Sequence, residues 1–576
     1  MDDFYILHYI LITKGKMKKI LISTLLALVI FQANAQNTKE DLPKNRFGLK
    51  EVTPKDRSQI KLIPELQIDI TKQNKTGRYL ANKESAAKTF IDNTKNKFFP
   101  PIVSQISNSC GCASIVHYIY TYELNYLLNR DGKQKDNICE YMHIWNFMNA
   151  GVEQGTLPWA VFATINDNGA IPESIYTTTS TTEWANGYDK YHTGMPYRVK
   201  STYKLNPSIP GDLEKMKQYL IDHGNGSAYG GLIQFSGYAH PLDASKYVGP
   251  SNTNISGIIP RFGTSGMHSM TIAGFDDSVW WDYNNDGNKD EDEMGAFICV
   301  NSWGTDWGDQ GKFYAPYKTF TTFRQGRGGT GNGGKECFIV VPEVKEIKMA
   351  LKVRIKHSSR DDLSFKVGYA NFEASSKPSS EREYFCMENA GGDYRMAGRF
   401  GIGSENLEFG IDISDLCDIV EKSESPAFFL KVTDNKKNNE GNGEILYCTL
   451  IDYRNGSKTE YIGEINNTTL KTGNTALVKI KLSSSALNDN KGTDYCGFDA
   501  TVSGKTINIF VNAKKDANME IELLNKKGDL IAPIFNNKIT KGSFTKCYDA
   551  KSISEGKYIL RAITNDQVIC KTVEIK

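Results

Sequence analysis

The stretch Asn301–Gly311 reads NSWGTDWGDQG and directly follows the apolar run AFICV at residues 296–300. This run is short and rich in apolar residues, which predicts a buried strand that ends at Asn301. An asparagine amide at the end of such a strand can orient a neighbouring polar side chain. Trp303 and Trp307 follow closely, and their large rings can shield that polar pair from water.

A second apolar strand supplies the side chain that Asn301 would orient. Residues 268–277 read HSMTIAGFDD, so His268 opens a predicted strand. The chain has eight histidines, but only His268 begins an apolar strand in the sequence. Histidine is the most common general base in enzymes, and a hydrogen-bonding partner fixes its orientation. The two strands therefore predict a His268–Asn301 pair.

Two cysteines precede a predicted helix. Residues 104–118 read SQISNSCGCASIVHY, and apolar residues recur at helical spacing from Ile115 onward. A thiolate is the reactive form of cysteine, and a helix N-terminus lowers the pKa of a thiol. Cys110 is nearer to that end than Cys112, and the Gln105 amide could stabilise an oxyanion. A disulfide is one alternative, and a metal site is another, although no second Cys or His pair stands at ligand spacing.

Together these residues resemble the papain family of cysteine peptidases. The run NSWGTDWGDQG matches the asparagine motif of that family, and the His268 strand matches its histidine strand. The resemblance covers about residues 86–344 and implies an α+β fold there, a two-lobed papain-like peptidase domain. The implied roles are nucleophile for Cys110, general base for His268, orienting amide for Asn301, oxyanion donor for Gln105, and substrate contacts for Gly155 and Trp303.

The family motif does not decide which of the two cysteines is the nucleophile. The family usually has Cys-Gly-Ser-Cys-Trp, whereas residues 109–113 here are Ser-Cys-Gly-Cys-Ala. Gln105 lies five residues before Cys110 and seven before Cys112, and the family spacing is six. The helix after the two cysteines resembles that of divergent bacterial members of the papain family. In those members the nucleophile lies thirteen residues before the glutamate of a Thr-Tyr-Glu sequence. Counting back from Glu123 favours Cys110, and Cys112 remains the alternative.

A further motif lies between the histidine strand and the asparagine strand. Residues 282–293 read DYNNDGNKDEDE and match the calcium-loop pattern of the EF-hand without a mismatch. The flanks read as strands rather than helices, and the alternative is a solvated acidic hairpin tip. The sequence thus predicts a structural calcium site and no cofactor for catalysis. The predicted ligands are Asp282, Asn284, Asp286, the backbone carbonyl of Asn288, Asp290 and a bidentate Glu293.

Beyond residue 344 the pattern changes to short alternating strands separated by turn signals. This pattern predicts two all-β sandwich domains, one at 348–483 and one at 490–576. The last of them, with GKYILR and a terminal VEIK, resembles the C-terminal sorting domains of the type IX secretion system of Bacteroidota. That resemblance implies recognition by an outer-membrane secretion machinery.

Length, composition and the N-terminal region set the remaining expectations. A chain of 576 residues should form several domains, and a net charge of +2 without a basic block argues against nucleic-acid binding. Residues 17–35 read as a signal peptide within a 1–35 signal region, and no later run predicts a membrane span. Residues 36–85 read as a polar leader or prosegment. Eleven cysteines are an odd number, so at least one is left out of any disulfide pairing.

These features predict a secreted or surface endopeptidase that acts on peptide or protein substrates. One alternative is a surface adhesin or protein-binding module on a degenerate peptidase fold. Another is an acyl or amide transferase on the same scaffold.

Overall fold

The structure is a computed structural model, and its described residues lie within one unit, Phe47–Lys576. The described residues are 54–68, 89–240, 242, 257–321, 336–384, 392–398, 405–423, 425–435, 442–454, 456, 458–464, 469–482, 496–513, 516–525, 530–564 and 568–576. The predicted signal region 1–35 lies outside them, as do residues 36–53 and 69–85 of the predicted leader. We name residues 89–344 the mixed domain, 349–482 the first sandwich and 496–576 the C-terminal domain.

The mixed domain combines helices with one antiparallel sheet, and its strand order is β2-β7-β3-β4-β5-β6, with β1 paired to β4. Its strands are β1 (Phe90–Asp92), β2 (Tyr197–Leu205), β3 (Ile233–His240), β4 (Ser265–Trp280), β5 (Met294–Val300), β6 (Lys312–Pro316) and β7 (Cys337–Val344). Its α-helices, after α1 (Pro54–Leu62) in the leader, are α2 (Cys110–Leu128), α3 (Tyr141–Trp145), α4 (Pro158–Asn168), α5 (Tyr188–Gly194), α6 (Asp212–Asp222) and α7 (Tyr317–Thr321). Strand β4 is the longest and carries the apolar run that the sequence predicts around His268. Gly274 lets β1 approach it, since a Cβ there would lie 2.0 Å from the Ile91 carbonyl oxygen.

Helix α2 is continuous, and it consists of Cys110–Cys112, the π-helical stretch Ala113–Tyr120 and Thr121–Leu128. The apolar spacing predicts one buried face, but every residue from 110 to 125 is buried. Strands β3, β4 and β7 pack on the helix together with α3 and α4. Its polar side chains therefore need partners inside the protein. Glu123, for example, accepts the backbone N–H of Leu232 at 3.0 Å.

The leader is better ordered than its polar composition suggests. Helix α1 and the residues after it pack against β2, the edge strand of the sheet, with Ile60 and Ile63 buried. The backbone of Lys204 on β2 bonds to the leader on both sides, from its N–H to the Pro64 carbonyl at 3.0 Å and from its carbonyl to Leu66 N–H at 3.1 Å. Residues 54–68 of the predicted leader or prosegment thus cover a sheet edge that would otherwise be exposed.

Two layers form the first sandwich, as the alternating strands predict. One sheet has the order β10-β9-β12-β16 and the other β11-β8-β13-β14, with β15 on β13. The strands are β8 (Met349–His357), β9 (Leu363–Ala370), β10 (Ser380–Glu383), β11 (Asn406–Asp412), β12 (Ala427–Asp434), β13 (Asn442–Asp452), β14 (Thr459–Ile462), β15 (Thr469–Lys471) and β16 (Thr475–Lys481), with helix α8 (Cys417–Lys422). Phe365 on β9 meets Phe409 on β11 edge-on at 5.6 Å between ring centroids, so the two sheets share a core.

The C-terminal domain has the same two-layer build. Its sheets have the orders β17-β18-β21 and β20-β19-β22-β23. The strands are β17 (Cys496–Ser503), β18 (Thr506–Ala513), β19 (Ala517–Leu524), β20 (Leu530–Ile539), β21 (Gly542–Asp549), β22 (Gly556–Thr564) and β23 (Val568–Ile575). Ile509 from one sheet and Leu560 from the other belong to a single buried cluster. Among the helices that the structure describes, none is long and apolar enough to cross a membrane.

All three domains meet at Glu408 on β11, which is 9% exposed. One carboxylate oxygen accepts the Tyr188 N–H of helix α5 at 2.9 Å, and the other accepts Arg561 Nη1 of β22 at 3.2 Å. Arg561 also donates to Glu522 at 2.7 Å. Burial alone would raise the pKa of Glu408, but Lys352, Arg561 and the Tyr188 N–H outweigh burial and hold the pKa below its ordinary value. Glu408 is therefore ionised at neutral pH and ties the domains together.

Replacing Glu408 with alanine should destabilise the whole chain. The change leaves the buried Arg561 with one acceptor fewer and the Tyr188 N–H with none from this side chain, so we expect the free energy of unfolding to fall by roughly 2–3 kcal/mol. The difference from the unmodified chain should shrink as the pH falls through the lowered pKa of Glu408, because the protonated carboxyl holds Arg561 less tightly. Denaturant unfolding followed at several pH values measures both effects.

A matched control is Glu381→Ala, which removes the Glu381–Lys431 pair (3.0 Å) on the exposed surface of the first sandwich. We expect that variant to lose less than about 1 kcal/mol. Equal losses in the two variants would mean that Glu408 contributes no more than a surface charge does.

Candidate active site

His268 and Asn301 form a buried hydrogen-bonded pair at the sheet centre. Antiparallel pairing of β4 with β5 places Thr271 opposite Val300, so His268 lies three residues before that point and Asn301 one residue after it. His268 Nε2 and Asn301 Oδ1 are 2.7 Å apart, and both residues are 0% exposed. The Ser302 N–H also donates to Asn301 Oδ1 at 2.7 Å, which identifies that atom as the amide oxygen. Nε2 therefore carries the proton, and Nδ1 is the nitrogen that can act as a base.

Trp303 covers this pair. Its ring lies 4.8 Å from the His268 ring between centroids, tilted by 30°, and Trp307 meets it edge-on at 5.2 Å. Trp303 is 6% exposed, because its ring packs against the imidazole of His268. This packing agrees with the shielding role that the sequence suggests for Trp303, and its contact with a substrate stays a prediction.

Tyr118 on α2 is a positioning residue that the sequence reasoning missed. Its hydroxyl donates to the Asn301 carbonyl oxygen at 3.0 Å and accepts the Val103 N–H at 2.9 Å. Burial raises the pKa of Tyr118 far above its usual range, so the hydroxyl keeps its proton. Nothing in the periodicity distinguishes Tyr118 from the other buried aromatic residues of the helix.

Cys110 is the first residue of α2, directly after the N-cap residue Ser109. Its side chain is buried in a small cluster with Leu157, and Trp159 and Met267 pack against that cluster. Met267 is the neighbour of His268 on β4, and the first turn of α2 contacts β4. The structure thus brings Cys110 to the strand of His268, at the positive end of a helix.

Cys112 faces the opposite way, into the large core of the mixed domain and the first sandwich. Burial raises the pKa of its thiol far above the usual range, which the Thr156 hydroxyl at 3.9 Å offsets only in part. The chain between the two cysteines is tight, because a Cβ on Gly111 would come within 2.5 Å of Thr156 Oγ1. Cys112 is therefore a protonated core thiol at neutral pH, which makes it a poor nucleophile.

Gln105 is 4% exposed and is anchored to the segment after Asn301. Its backbone N–H donates to the Ser302 carbonyl at 2.7 Å, and its side-chain oxygen accepts the Ser302 hydroxyl at 2.6 Å. The side-chain nitrogen donates to the Ser107 carbonyl at 2.7 Å, which occupies one of its two N–H groups.

Gly155 lies buried in the loop that leads into α4, next to Thr156. The same loop is fixed to the segment before Cys110 by Glu153, whose carboxylate accepts the Ser107 hydroxyl and whose carbonyl accepts Asn108 Nδ2 at 2.9 Å. The sequence reasoning missed Glu153, since a loop-to-loop contact leaves no periodic signal. This contact sets the position of Gly155 relative to the start of α2.

The predicted calcium ligands lie elsewhere, in the loop that joins β4 to β5. Asp282, Asn284, Asp286, Asn288 and Asp290 are exposed or half-buried, whereas Glu293 is 1% exposed. They lie close together, since one side-chain nitrogen, that of Asn284, bonds to both Asp286 at 3.1 Å and Asp290 at 3.0 Å.

No protein-family model matches the chain, and no curated protein matches it. Solved cysteine proteases are similar over about half of it. Xylellain, a cysteine protease from Xylella fastidiosa, covers 54% of this chain and 100% of its own at 13% identity, with a TM-score of 0.34. Procathepsin B S9 from Trypanosoma congolense covers 49% and 84% at 14% identity (TM-score 0.32), and the bromelain protease from Ananas comosus, solved with the E64 inhibitor, covers 45% and 100% at 12% (TM-score 0.32). At these TM-scores the roles of individual residues have to come from side-chain geometry.

The rate of alkylation should distinguish the buried thiol of Cys112 from an accessible thiol. In a Cys110→Ala background at pH 8, we expect iodoacetamide to modify the exposed Cys547 and to leave Cys112 unmodified until the chain is denatured. The reason is that Cys112 is both buried and protonated. Tandem mass spectrometry of the digested protein locates the label. Modification of Cys112 in the native chain at the rate of Cys547 would contradict this placement.

Proposed function

We propose that the chain is a papain-like cysteine peptidase that hydrolyses peptide bonds through Cys110, His268 and Asn301. The observation that carries the proposal is the buried 2.7 Å hydrogen bond from His268 Nε2 to Asn301 Oδ1. It fixes the tautomer in which Nδ1 can take a proton, beside the strand that Cys110 approaches. A thiol, an imidazole and an orienting amide in this relation form the arrangement that activates a nucleophilic cysteine.

In the proposed reaction, Nδ1 of His268 takes the thiol proton, and the sulfur of Cys110 forms a bond to the scissile carbonyl carbon. The carbonyl oxygen then carries negative charge. The C–N bond breaks, and the departing amine takes the proton from His268. A water molecule next attacks the thioester and gives a proton to His268, the C–S bond breaks, and the carboxylic product leaves as the thiolate recovers that proton.

The side-chain amide of Gln105 and the N–H groups of the first turn of α2 are the proposed oxyanion donors. The first N–H groups of a helix have no acceptor within the helix and point toward its N-terminus, where Cys110 stands. Fixing Gln105 through Ser302 holds the donor on the same segment as Asn301. Gly155, on the adjoining loop, is the proposed contact for the substrate backbone.

Single substitutions test these roles. We expect Cys110→Ala and His268→Ala to lower kcat by more than about 10³-fold, because each removes a group that takes part in every bond change. Gln105→Ala should lower kcat by about 10²–10³-fold with a small change in KM, since an oxyanion is held only in the transition state. Hydrolysis of casein and of fluorogenic peptides measures the rates.

The matched control is Cys112→Ala, which removes the neighbouring thiol. We expect it to keep the wild-type kcat, and an epoxide thiol inhibitor should label Cys110 in both the control and the unmodified chain. Full loss of activity in Cys112→Ala with an unchanged melting temperature would mean that Cys112 is the nucleophile. No hydrolysis and no labelling in the unmodified chain would favour a binding protein on a degenerate fold.

We also propose that the chain is exported and that its C-terminal domain takes part in export. The signal-peptide pattern at residues 17–35 and the resemblance of the last domain to secretion sorting domains support this proposal. The mature chain would then begin at Gln36.

N-terminal sequencing of the chain secreted by a bacterial host should therefore give Gln36 as the first residue. Ala35→Arg should block cleavage, because the signal peptidase requires a small residue before the cleaved bond. A secreted chain that still contains residues 17–35 would contradict cleavage after this signal.

A further inference from the structure

The acidic loop Asp282–Glu293 has no part in the proposed reaction, and its geometry asks for a separate explanation. It connects the end of β4 to the start of β5, where Trp280 pairs with Met294. Its four predicted carboxylate ligands and two further acids, Glu291 and Asp292, are concentrated within twelve residues. The loop itself contains a single basic residue, Lys289, and Lys318 of helix α7 pairs with Asp292 at 2.6 Å.

The first half of the loop is wrapped around the Asp282 carboxylate. One oxygen of Asp282 accepts the Asn285 N–H at 2.6 Å, and the other accepts the Gly287 N–H at 2.9 Å. Gly287 has a φ of +76°, which allows the sharp turn at this point. The loop is therefore folded back on itself, so that its side chains can converge.

Carboxylates from both halves of the loop converge on one point. The Asn284 side-chain nitrogen lies 3.1 Å from Asp286 Oδ2 and 3.0 Å from Asp290 Oδ2. A donor group thus stands between two negative charges. Rotation of the Asn284 amide would turn its oxygen toward the same point and leave a position surrounded by oxygen atoms, at the cost of the 2.9 Å bond that this oxygen accepts from the Asp286 N–H.

Glu293, the last residue of the loop, supplies the independent observation. Its Oε1 accepts the Tyr283 N–H at 2.8 Å, so the carboxylate lies against the beginning of the loop. Its Oε2 is buried and has no hydrogen-bond partner in the part of the chain that the structure describes. Burying a carboxylate oxygen without a partner is costly, and such an atom calls for an unseen ligand.

We propose that this loop binds one calcium ion, and that Glu293 Oε2 is one of its ligands. Calcium takes six to eight oxygen ligands, including a bidentate carboxylate and a backbone carbonyl, whereas magnesium demands a stricter octahedron and keeps more water. The described residues, those of this loop included, hold no group of three or more His, Cys, Asp or Glu side chains already placed around a metal ion, so the loop has to close around the ion as it binds. The ligands are Asp282, Asn284 after rotation of its amide, Asp286, the carbonyl of Asn288, Asp290 and both oxygens of Glu293.

The ion stabilises the β4–β5 hairpin and takes no part in the proposed reaction. His268 and Trp280 are twelve residues apart on β4, up to about 40 Å along an extended strand. Helix α7, which packs on β5 and β6, reaches the same loop through Tyr283, whose hydroxyl bonds to Thr319 at 2.9 Å. Calcium therefore links the loop, the hairpin and α7, and this role does not depend on the proposed peptidase activity.

Calcium binding to the full-length chain tests the proposal. We expect one calcium per chain by isothermal titration calorimetry, and a melting temperature that rises with calcium and falls with excess EGTA, because a ligand of the folded state stabilises it. Magnesium at the same concentration should have a smaller effect. Glu293→Gln should weaken calcium binding by at least about tenfold, since loss of even an outer-shell partner commonly has an effect of that size.

The matched control is Glu291→Gln, the same change two residues away at an exposed position that provides no ligand. We expect Glu291→Gln to keep the calcium affinity and the calcium-dependent rise in melting temperature. An unmodified chain whose melting temperature and calorimetric titration do not respond to calcium or EGTA would overturn the proposal. Equal weakening in Glu291→Gln and Glu293→Gln would also overturn it, because binding would then follow loop charge and not the ligand set.

Discussion

The antiparallel register of β4 and β5 is the constraint on which the candidate site depends. It brings His268 and Asn301, 33 residues apart in sequence, to 2.7 Å in the interior. Because this hydrogen bond is buried beneath Trp303, water cannot compete for it, and it is stronger than an exposed one. A slip of the register by one residue would turn every side chain of the strand to the opposite face and separate the pair. Helix α2 is docked on the same strand, since Ser114 bonds to Thr271 at 2.9 Å. The position of Cys110 therefore depends on the register as well.

The sequence predicted the parts of the fold whose signals are local. The start of α2 at Cys110, the end of α4 at Asn168 and the two-layer build of the domains after residue 344 follow from apolar spacing and turn residues. The contacts made between distant loops could not be predicted in this way. Glu153 and Tyr118 act through such contacts, and their residue types are common in surface loops and in cores. The pairing of residues 54–68 with β2 left no periodic signal for a related reason, because a polar segment that pairs with a sheet edge needs few apolar side chains.

The first sandwich has a more direct relation to the candidate site than a spacer would have. Tyr394 donates its hydroxyl to the Gly151 carbonyl at 2.9 Å, and the Arg360 guanidinium lies 4.3 Å above the centre of the Trp184 ring. Gly151 belongs to the loop that continues to Glu153 and Gly155, and Glu153 in turn holds Asn108, two residues before Cys110. The sandwich thus supports, from outside, the loop that borders the start of α2. The core of the mixed domain also continues into the sandwich, where helices α4 and α5 contact β11.

The β4–β5 hairpin carries buried polar groups at both of its ends, and the two ends are satisfied differently. At one end, His268 Nε2 and Asn301 Oδ1 bond to each other, whereas the buried Asn301 Nδ2 has no hydrogen-bond partner among the described residues. At the other end, Glu293 has a buried oxygen that no described residue satisfies, so that end favours a bound cation. The pairing between the strands is irregular between Asp276 and Trp280, which separates the loop end from the regular ladder around His268. Because of this interruption, opening of the loop end can lower the stability of the hairpin while the His268–Asn301 geometry stays intact.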